Sequence, residues 1–531
     1  MKKFWRQGEP FVWATGLSLT LVLLMTGLLL YVVLCNGIGV FWPKSVAMAP
    51  LNKGGMVMGE IFKHENGPDG LPRMQFKIGN RDLNGLDFAW IAGQDMGEIE
   101  YPAQSMVIER QEYGNFYGFL KTLALPDMPS LQEGEPEDIF FEALLGFKEK
   151  KADLNQRAEE IMASNRTMEA IEAKLAKLTY RGAAESAPEV LKLKEQKKLA
   201  LIDFEKMVTA AEDLRIRYQQ NQAVFSDANG RLKEIPFLEI IRAYQPNTMS
   251  TVAKLSYYGK RLWELFFDEP RESNTEGGLF PAIFGTIILV FLMSALSFPM
   301  GVVAGVYLRE YAKEGLLVKT VRIAVNNLAG IPSIVYGIFG LGFFVYGIGS
   351  SIDQLFFADT LPTPTFGTGG ILWASLTLGL LTVPVVIVAT EEALGSIPPG
   401  VREGSLALAA TKYQTLCNLL LPMASPGIMT GFILAMARAA GEVAPLMITG
   451  VVKLAPALPL DSEFPFVHLN RKFMHLGFHI YDIGFQSPNV EAAKPMVYVT
   501  TLLLIVIVLV MTSIAIHLRN KMRTKYAISD V

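Results

Sequence analysis

Arg438 and Glu442 stand four residues apart in the run "AMARAAGEVAPLM", inside an otherwise apolar stretch of residues 423–452. A charge near the centre of a bilayer costs about 2.5–3.5 kcal/mol on insertion scales, so each must be used. On a helix this spacing puts both side chains on one face, where they can pair. Two uses fit the residue types. One is a structural ion pair. The other is recognition, because a guanidinium offers bidentate donors matched to the oxygens of an oxyanion. Gly441 and Pro445 flank the pair and would loosen the local helix, freeing backbone groups toward a cavity.

A second cluster is His468, His475 and His479 in "HLNRKFMHLGFH". His475 and His479 would share a helix face at a spacing that metals use. Asp482 is the one carboxylate near enough to complete a set, and aromatic and aliphatic residues surround it. A structural or interfacial role is expected, and no metal is assigned. The chain has no GxxxxGK[ST] cradle, Rossmann glycine fingerprint, HExxH or GxSxG, so it carries no recognisable ATPase or hydrolase site and no bound cofactor of its own. Cys35 and Cys417 are its two cysteines, too few for a disulfide framework or thiolate cluster.

The elements that must hold these residues are apolar. Of 531 residues, 51% are hydrophobic and 19% charged, against about a quarter charged in soluble domains. A single soluble globule is excluded. The net charge of −3 gives no footprint for nucleic acid. Six stretches reach the roughly 20 residues a bilayer requires, at 11–35, 279–308, 323–352, 360–390, 423–452 and 495–518. Pro332 and Pro384 punctuate the third and fourth, as membrane helices tolerate. Lys2, Lys3 and Arg6 precede the first run, Arg309, Lys313, Lys319 and Arg322 follow the second, and Arg519, Lys521, Arg523 and Lys525 follow the last. The segment between the third and fourth runs has Asp353 and Asp359 and no Lys or Arg. The basic bias predicts a six-span, multi-pass membrane protein with both termini cytoplasmic. Ala47-Met48-Ala49 resembles a cleavage triplet, but the run before it is too long for a signal peptide and Pro50 follows, so an uncleaved anchor is expected.

That orientation places residues 36–277 outside the cytoplasm. "GGMVMGEIF", "RMQFKIGN", "DFAWIAG" and "SMVIERQE" read as strands, with "ENGPDG" and "RDLNG" as turns. Over residues 142–218 the charge density rises and apolar residues recur every three or four. Phe147, Leu154, Ala158, Ile161, Met168, Leu175 and Leu178 form one stripe, and Phe204, Val208, Ala211 and Tyr218 another. A helical hairpin broken at "YRGAAESAP" follows, either packed on itself or serving as a docking arm. "LKEIPFLEII" returns to strand, and "VAKLSYYGKRLWELFF" suits a helix lying at the membrane surface.

Between the fourth and fifth runs, residues 391–422 read "EEALGSIPPGVREGSLALAATKYQTLCNLLLP". This loop resembles the EAA loop of ABC-importer permeases, with Glu403-Gly404-Ser405 at the motif's start, Ala409 in its glycine position, and Leu419, Leu421 and Pro422 at its end. The spacing is kept, while the two alanines and the glycine are replaced. Leu406, Leu408, Tyr413 and Leu416 would present an apolar surface to a partner or to the membrane. "NNLAGIPSIVYGIFG", "REGSLALAATKYQTL" and "AMARAAGEVAPLM" together resemble the PstA-type permease subunits of bacterial phosphate ABC importers, in the long form with a large periplasmic insert. The likeness covers residues 278–518, about half the chain.

The resemblance implies a six-helix membrane domain of the ABC type I importer permease fold. It divides the chain into an anchor helix (1–35), a periplasmic β-rich domain with a helical hairpin (36–277), a permease core (278–518) and a cytoplasmic tail (519–531). Arg402, Glu403, Ala409, Lys412, Tyr413, Leu421 and Pro422 would couple to an ATPase dimer that uses the ATP and magnesium. The other implied partners are a homologous PstC-type permease and a periplasmic phosphate-binding protein. With phosphate as substrate, Arg438 would bind the anion and Glu442 would accept the proton that hydrogen phosphate keeps and sulfate lacks. Rival readings are a permease for another oxyanion or small solute, and a membrane-anchored sensor or scaffold.

Overall fold

In the computed structural model, residues 9–67, 70–128, 135–462, 464–487 and 490–526 are described. Lys2, Lys3 and Arg6, and Pro68 and Asp69 of the first expected turn, lie outside them. Among the described residues six helices are long and apolar enough to cross a membrane. These are α1 (Glu9–Ile38), α5 (Phe280–Val306), α7 (Ser333–Phe356), α8 (Ile371–Gly395), α10 (Lys412–Gly441) and α13 (Val490–Tyr526).

Glycine and proline set ends that differ from the apolar runs. The third run splits into an amphipathic α6 (Leu316–Leu328) and α7. Pro332 disfavours helix at the residue before it and caps α7. The hydroxyl of Tyr336 staples the break by donating to the Leu328 carbonyl at 2.7 Å. The fourth span starts at Ile371 rather than near 360, after a loop held by Asp353, which accepts from the backbone N–H of Phe366 and Gly367 at 2.8 and 2.7 Å. The fifth begins earlier, at Lys412, so Cys417 sits in a helix and not in the polar loop expected for it.

α8 is the most enclosed span, with 67% of its apolar window buried, between α5 and α10. Lipid gives no hydrophobic drive for helix association, so close approach through small residues does the work. A Cβ on Gly301 of α5 would stand 2.6 Å from the Val386 Cβ, and one on Gly431 of α10 2.3 Å from the Ala389 Cβ. Leu289, Val290, Leu378, Leu381 and Ala439 fill the space between.

Between α1 and α5 the described residues form two larger antiparallel sheets and a short pair, Pro270–Arg271 with Glu276–Gly277. The first pairs β1 (Val46–Pro50), β2 (Met56–Asn66), β3 (Pro72–Lys77) and β4 (Phe88–Ala92) in chain order. The second contains β5 (Met106–Arg110), β6 (Asn115–Ala124), β7 (Gln222–Ser226), β8 (Leu232–Pro236) and β9 (Ile240–Tyr244), in the order 8-7-6-5-9. Ala47 and Ala49 of the cleavage-like triplet are fully buried in β1. The helical hairpin, α2 (Pro136–Tyr180) and α3 (Pro188–Gln219), interrupts the second sheet between β6 and β7. Its base belongs to the domain core: Phe147 stacks on Phe237 at 5.1 Å, and Phe140 meets Phe225 edge-on at 5.6 Å. Toward its tip, Lys177 lies 3.9 Å from Asp359, just beyond the third span. Lys177 is exposed, and an ion pair with one such partner contributes at most about 1 kcal/mol.

The amphipathic helix α4 (Thr251–Phe267) joins the sheets to the spans. Leu262 and Leu265 pack with Phe41, Leu279 and Met496, while Val252, Leu255, Trp263 and Phe267 are exposed. At the same junction Glu109 is buried. Burial alone would raise its carboxyl, but Arg261 at 3.3 Å, Arg242 and the Tyr257 hydroxyl hold it below its ordinary value.

Ala158 and Ala211 line one cleft between the hairpin helices, so a short Gly/Ser link can replace residues 158–211. We expect that deletion to leave the β-rich domain folded, with the thermal midpoint of the purified chain moved by only a few degrees. Phe147→Ala at the base should instead cost about 3–5 kcal/mol. A deletion as damaging as that truncation would show that the distal hairpin supports the fold.

Candidate functional site

The loop between the fourth and fifth spans forms a short helix, α9 (Pro399–Ala407), a turn, and the start of α10. Thr411 opens α10 with a capping box, accepting from Gln414 N–H at 3.2 Å while the Gln414 side chain accepts from Thr411 N–H at 2.9 Å. Between the helices Ala409 has φ +61°. This left-handed conformation suits glycine and costs a residue with a Cβ about 1–2 kcal/mol. The ring of contacts closes at Ser405 and Thr415, whose hydroxyls are 2.9 Å apart.

The expected coupling residues divide. Glu403, Ala409, Lys412 and Tyr413 are exposed, with Leu406 and Leu408 beside them. Leu421 and Pro422 are half-buried in the first turns of the helix Leu421–Gly441. Leu416, expected at the surface, is buried against Leu394 and Leu420 because the helix turns it toward α8. Arg402 turns inward. It donates to Glu310 at 2.8 Å and to the carbonyls of Leu394 and Ile397 at 2.6 and 2.8 Å. That latch ties α9 to the ends of α5 and α8. Nearby, Arg322 of α6 binds Glu391 at 3.1 Å, Glu314 at 3.0 Å and the Leu308 carbonyl. No sequence signal announces these partners, since Glu310 and Arg402 are 92 residues apart.

Arg438 and Glu442 pair, but not as two residues of one helix. The helix ends at Gly441, and Glu442 is extended with ψ 135°. A short α11 (Ala444–Thr449) follows, because Pro445 has no N–H for the Gly441 carbonyl. Arg438 Nε stands 3.5 Å from Glu442 Oε1, with side chains 35% and 20% exposed. The pair therefore sits in the last turn of the span and at a break, on a face that this chain leaves partly open. Pro445 is buried against α7, where a Cβ on Gly337 would stand 2.8 Å from its Cα. Arg438, Glu442, Gly441 and Pro445 are thus brought together on one broken helix braced by α7.

The histidines serve separate purposes. His475 is not helical. It caps α12 (Leu476–Tyr481) by accepting from Gly477 N–H at 3.1 Å. His479 lies 3.1 Å from the Asn274 carbonyl and 3.2 Å from the Thr500 hydroxyl. Burial pushes both rings down to about 4, so they are neutral near pH 7. His468 is held 2.9 Å from Asp461. Among the described residues no group of three His, Cys, Asp or Glu side chains could hold a metal ion.

Residues 297–524 match the family of binding-protein-dependent transport system inner membrane components. A probable ABC transporter permease protein of Bacillus subtilis, YqgI, is 31% identical over 223 residues, 41% of this chain and 70% of that one. The chain belongs to this family of ABC transporter permeases. The probable phosphate transport system permease protein PstA of Methanocaldococcus jannaschii is 33% identical over 189 residues, 35% of this chain and 60% of that one. The phosphate transport system permease protein PstA of Yersinia pestis is 32% identical over 222 residues, covering 42% and 66%. The chain spans from half to 70% of the length of such curated relatives. The family match begins inside α5 and runs into α13, so it takes in five of the apolar helices and leaves out α1.

The turn at Ala409 makes a direct test. Ala409→Gly should stabilise the loop by up to about 1 kcal/mol, the left-handed strain relieved less the entropy glycine loses. Ala409→Val should destabilise it. Amide exchange across residues 404–416 would rank the three. The reverse order would remove the strain assigned to this turn.

Proposed function

We propose that the chain is the permease subunit of an ATP-driven importer of inorganic phosphate. Membership in the permease family, with relatives named as phosphate permeases, supports this most directly. The chain would lie in the bacterial inner membrane with both termini cytoplasmic and the β-rich domain in the periplasm. It would assemble with a second, PstC-type permease, an ATPase dimer and a periplasmic phosphate-binding protein. ATP and magnesium would be used by the ATPase, and this chain would do no chemistry of its own.

Glu403, Lys412, Tyr413 and the exposed Leu406 and Leu408 would form the face that docks on the ATPase. Arg402 would hold that face in place from behind. Among the described residues Glu403 has no ion-pair partner, so it is available to a basic surface on another subunit. The path for phosphate would run along the open face of α10, against the second permease. There Arg438 presents a bidentate donor. Glu442, 3.5 Å from Arg438, would accept the proton of hydrogen phosphate and repel a fully ionised sulfate.

Two sets of variants test this in proteoliposomes containing the assembled complex. Glu403→Lys should abolish uptake while the chain still inserts. Normal uptake with normal ATPase co-purification would remove the coupling assignment.

For the path, Arg438→Gln should lower phosphate uptake about 10- to 100-fold, the equivalent of a lost charged hydrogen bond of about 1.5–3 kcal/mol. Glu442→Gln should keep uptake but weaken discrimination against sulfate. A purely structural pair would tolerate exchange of the two residues (Arg438→Glu with Glu442→Arg). A path residue would not, because exchange moves the cation from the last turn of the helix to the extended residue beyond its end at Gly441. Robust transport by an assembled exchanged variant would overturn the path assignment.

A further inference from the structure

Where the β-rich domain meets the spans, the chain encloses a cavity of about 350 Å³, within the range of small-molecule sites. Its lower wall comes from the end of α1 and the start of α13, including Val40, Phe41, Met496 and Tyr498. Its upper wall is charged and comes from the sheets. The floor is closed where α1 meets α13, since a Cβ on Gly37 would stand 3.0 Å from Leu502 Cδ2. The exposed Trp42 lines the cavity, and the exposed Trp263 and Phe267 belong to α4, which contributes Arg261 to it. Tryptophan and tyrosine gather where a membrane's headgroups begin.

The charges sort by their partners. Arg261 is taken by Glu109 at 3.3 Å, and Lys494 by Glu491. Lys44, Lys63 and Lys77 also line the cavity, and none forms an ion pair with a described residue. Lys44 lies with its Nζ 4.4 Å above the Phe62 ring. Burial depresses its ammonium, Glu60 works against that shift, and Lys77 adds to it. Facing these lysines are Glu60, which accepts from the Tyr117 hydroxyl at 3.1 Å, and Glu276. Burial raises the Glu276 carboxyl, with Lys77 opposing. Uncommitted ammonium groups, two carboxylates and an apolar floor at headgroup level make an unusual combination. A simple anion would meet the carboxylates, and a simple cation the lysines. A zwitterion with an apolar tail satisfies all three.

We propose that this cavity binds the headgroup of an aminophospholipid, phosphatidylethanolamine, with its phosphate between Lys44 and Lys77 and its ammonium toward Glu60 and Glu276. The upper parts of its chains would run along Phe41 and Met496. Lys63, exposed at the rim, would meet the headgroup as it enters. The lipid would fill the gap between domain and spans, and so hold the β-rich domain to the membrane half.

The test uses the full chain in mild detergent, titrated with phosphatidylethanolamine, phosphatidylglycerol or inorganic phosphate and read by native mass spectrometry. One phosphatidylethanolamine should bind, at least tenfold more tightly than phosphatidylglycerol. Lys44→Gln with Lys77→Gln should weaken it at least tenfold, and Lys44→Arg with Lys77→Arg should retain it. Equal binding of the two lipids would overturn the role of the carboxylates. Displacement of the lipid by inorganic phosphate alone would make this an anion site instead, and unchanged binding in the glutamine pair would remove the site altogether. Should that pair fail to fold, the wild-type chain still decides. Phosphatidylethanolamine with a photoreactive headgroup should label residues 42–44, 60–63, 77 or 275–276 of the cavity lining, and labelling confined to segments outside that lining would overturn the proposal.

Discussion

A break in a helix inside a membrane is permitted only where protein, not lipid, satisfies the freed backbone. This constraint governs the membrane half. The fifth span stops at Gly441 and resumes at Ala444. What makes the break tolerable is the packing around it. Gly450 N–H returns to the Leu446 carbonyl at 3.1 Å, the Thr449 carbonyl receives Gly370 N–H at 3.0 Å, and Val452 N–H reaches Phe473 at 3.0 Å. The N-terminus of α8, the strand-like segment near Phe473 and the short α11 thus share one set of backbone bonds. A side chain on Gly337 would push α7 off Pro445 and open that set. The charged pair is held at the break by these apolar and backbone contacts, since its own 3.5 Å separation is too loose to fix either side chain.

How far the sequence discloses this depends on the physics of each element. Six spans are legible because hydrocarbon thickness demands a minimum apolar length, a local property of the chain. Their ends are less so, because Pro384 lies inside α8 while Pro332 marks the start of α7, and the difference lies in neighbours that lend or withhold hydrogen bonds. The alternating β3 and the apolar run Met106, Val107 and Ile108 of β5 are visible. β1 is not, because "VAMAP" carries small residues that only a buried sheet explains.

The same division runs through the site. The left-handed turn is written in the loop's spacing, which puts Ala409 where a glycine is expected. The inward latch of Arg402 is not, because its acceptors come from the ends of α5 and α8. The helical spacing of Arg438 and Glu442 suggests a shared face that the break at Gly441 removes, although the two still meet. For His475 and His479, the same spacing misleads more fully, because a cap and a helical residue point to different neighbours. Spacing predicts contact well only where the backbone between the residues is regular.

α5 joins the two ends of the molecule. At its start, Leu279 N–H bonds to the Leu265 carbonyl of α4 at 2.8 Å, so it inherits the orientation of the β-rich domain and its buried Glu109 cluster. Along its length, Gly301 and Gly305 seat it on Val386 and Thr390 of α8. Just past its end, Glu310 takes the Arg402 guanidinium that holds α9. A helix of 27 residues is about 40 Å long, a rod between the two. Neither end can rotate about a free linker, because the charges at one and the latch at the other are both tied by several bonds. A displacement of α9 must therefore either break the Arg402 latch or tilt α5 and α8 together. The second costs less, since the small residues between those helices allow sliding without opening a cavity, whereas the first strands a half-buried guanidinium and Glu310 without partners. Movement of α9 would thus reach the charged pair through the α5–α8 layer on which α10 is packed.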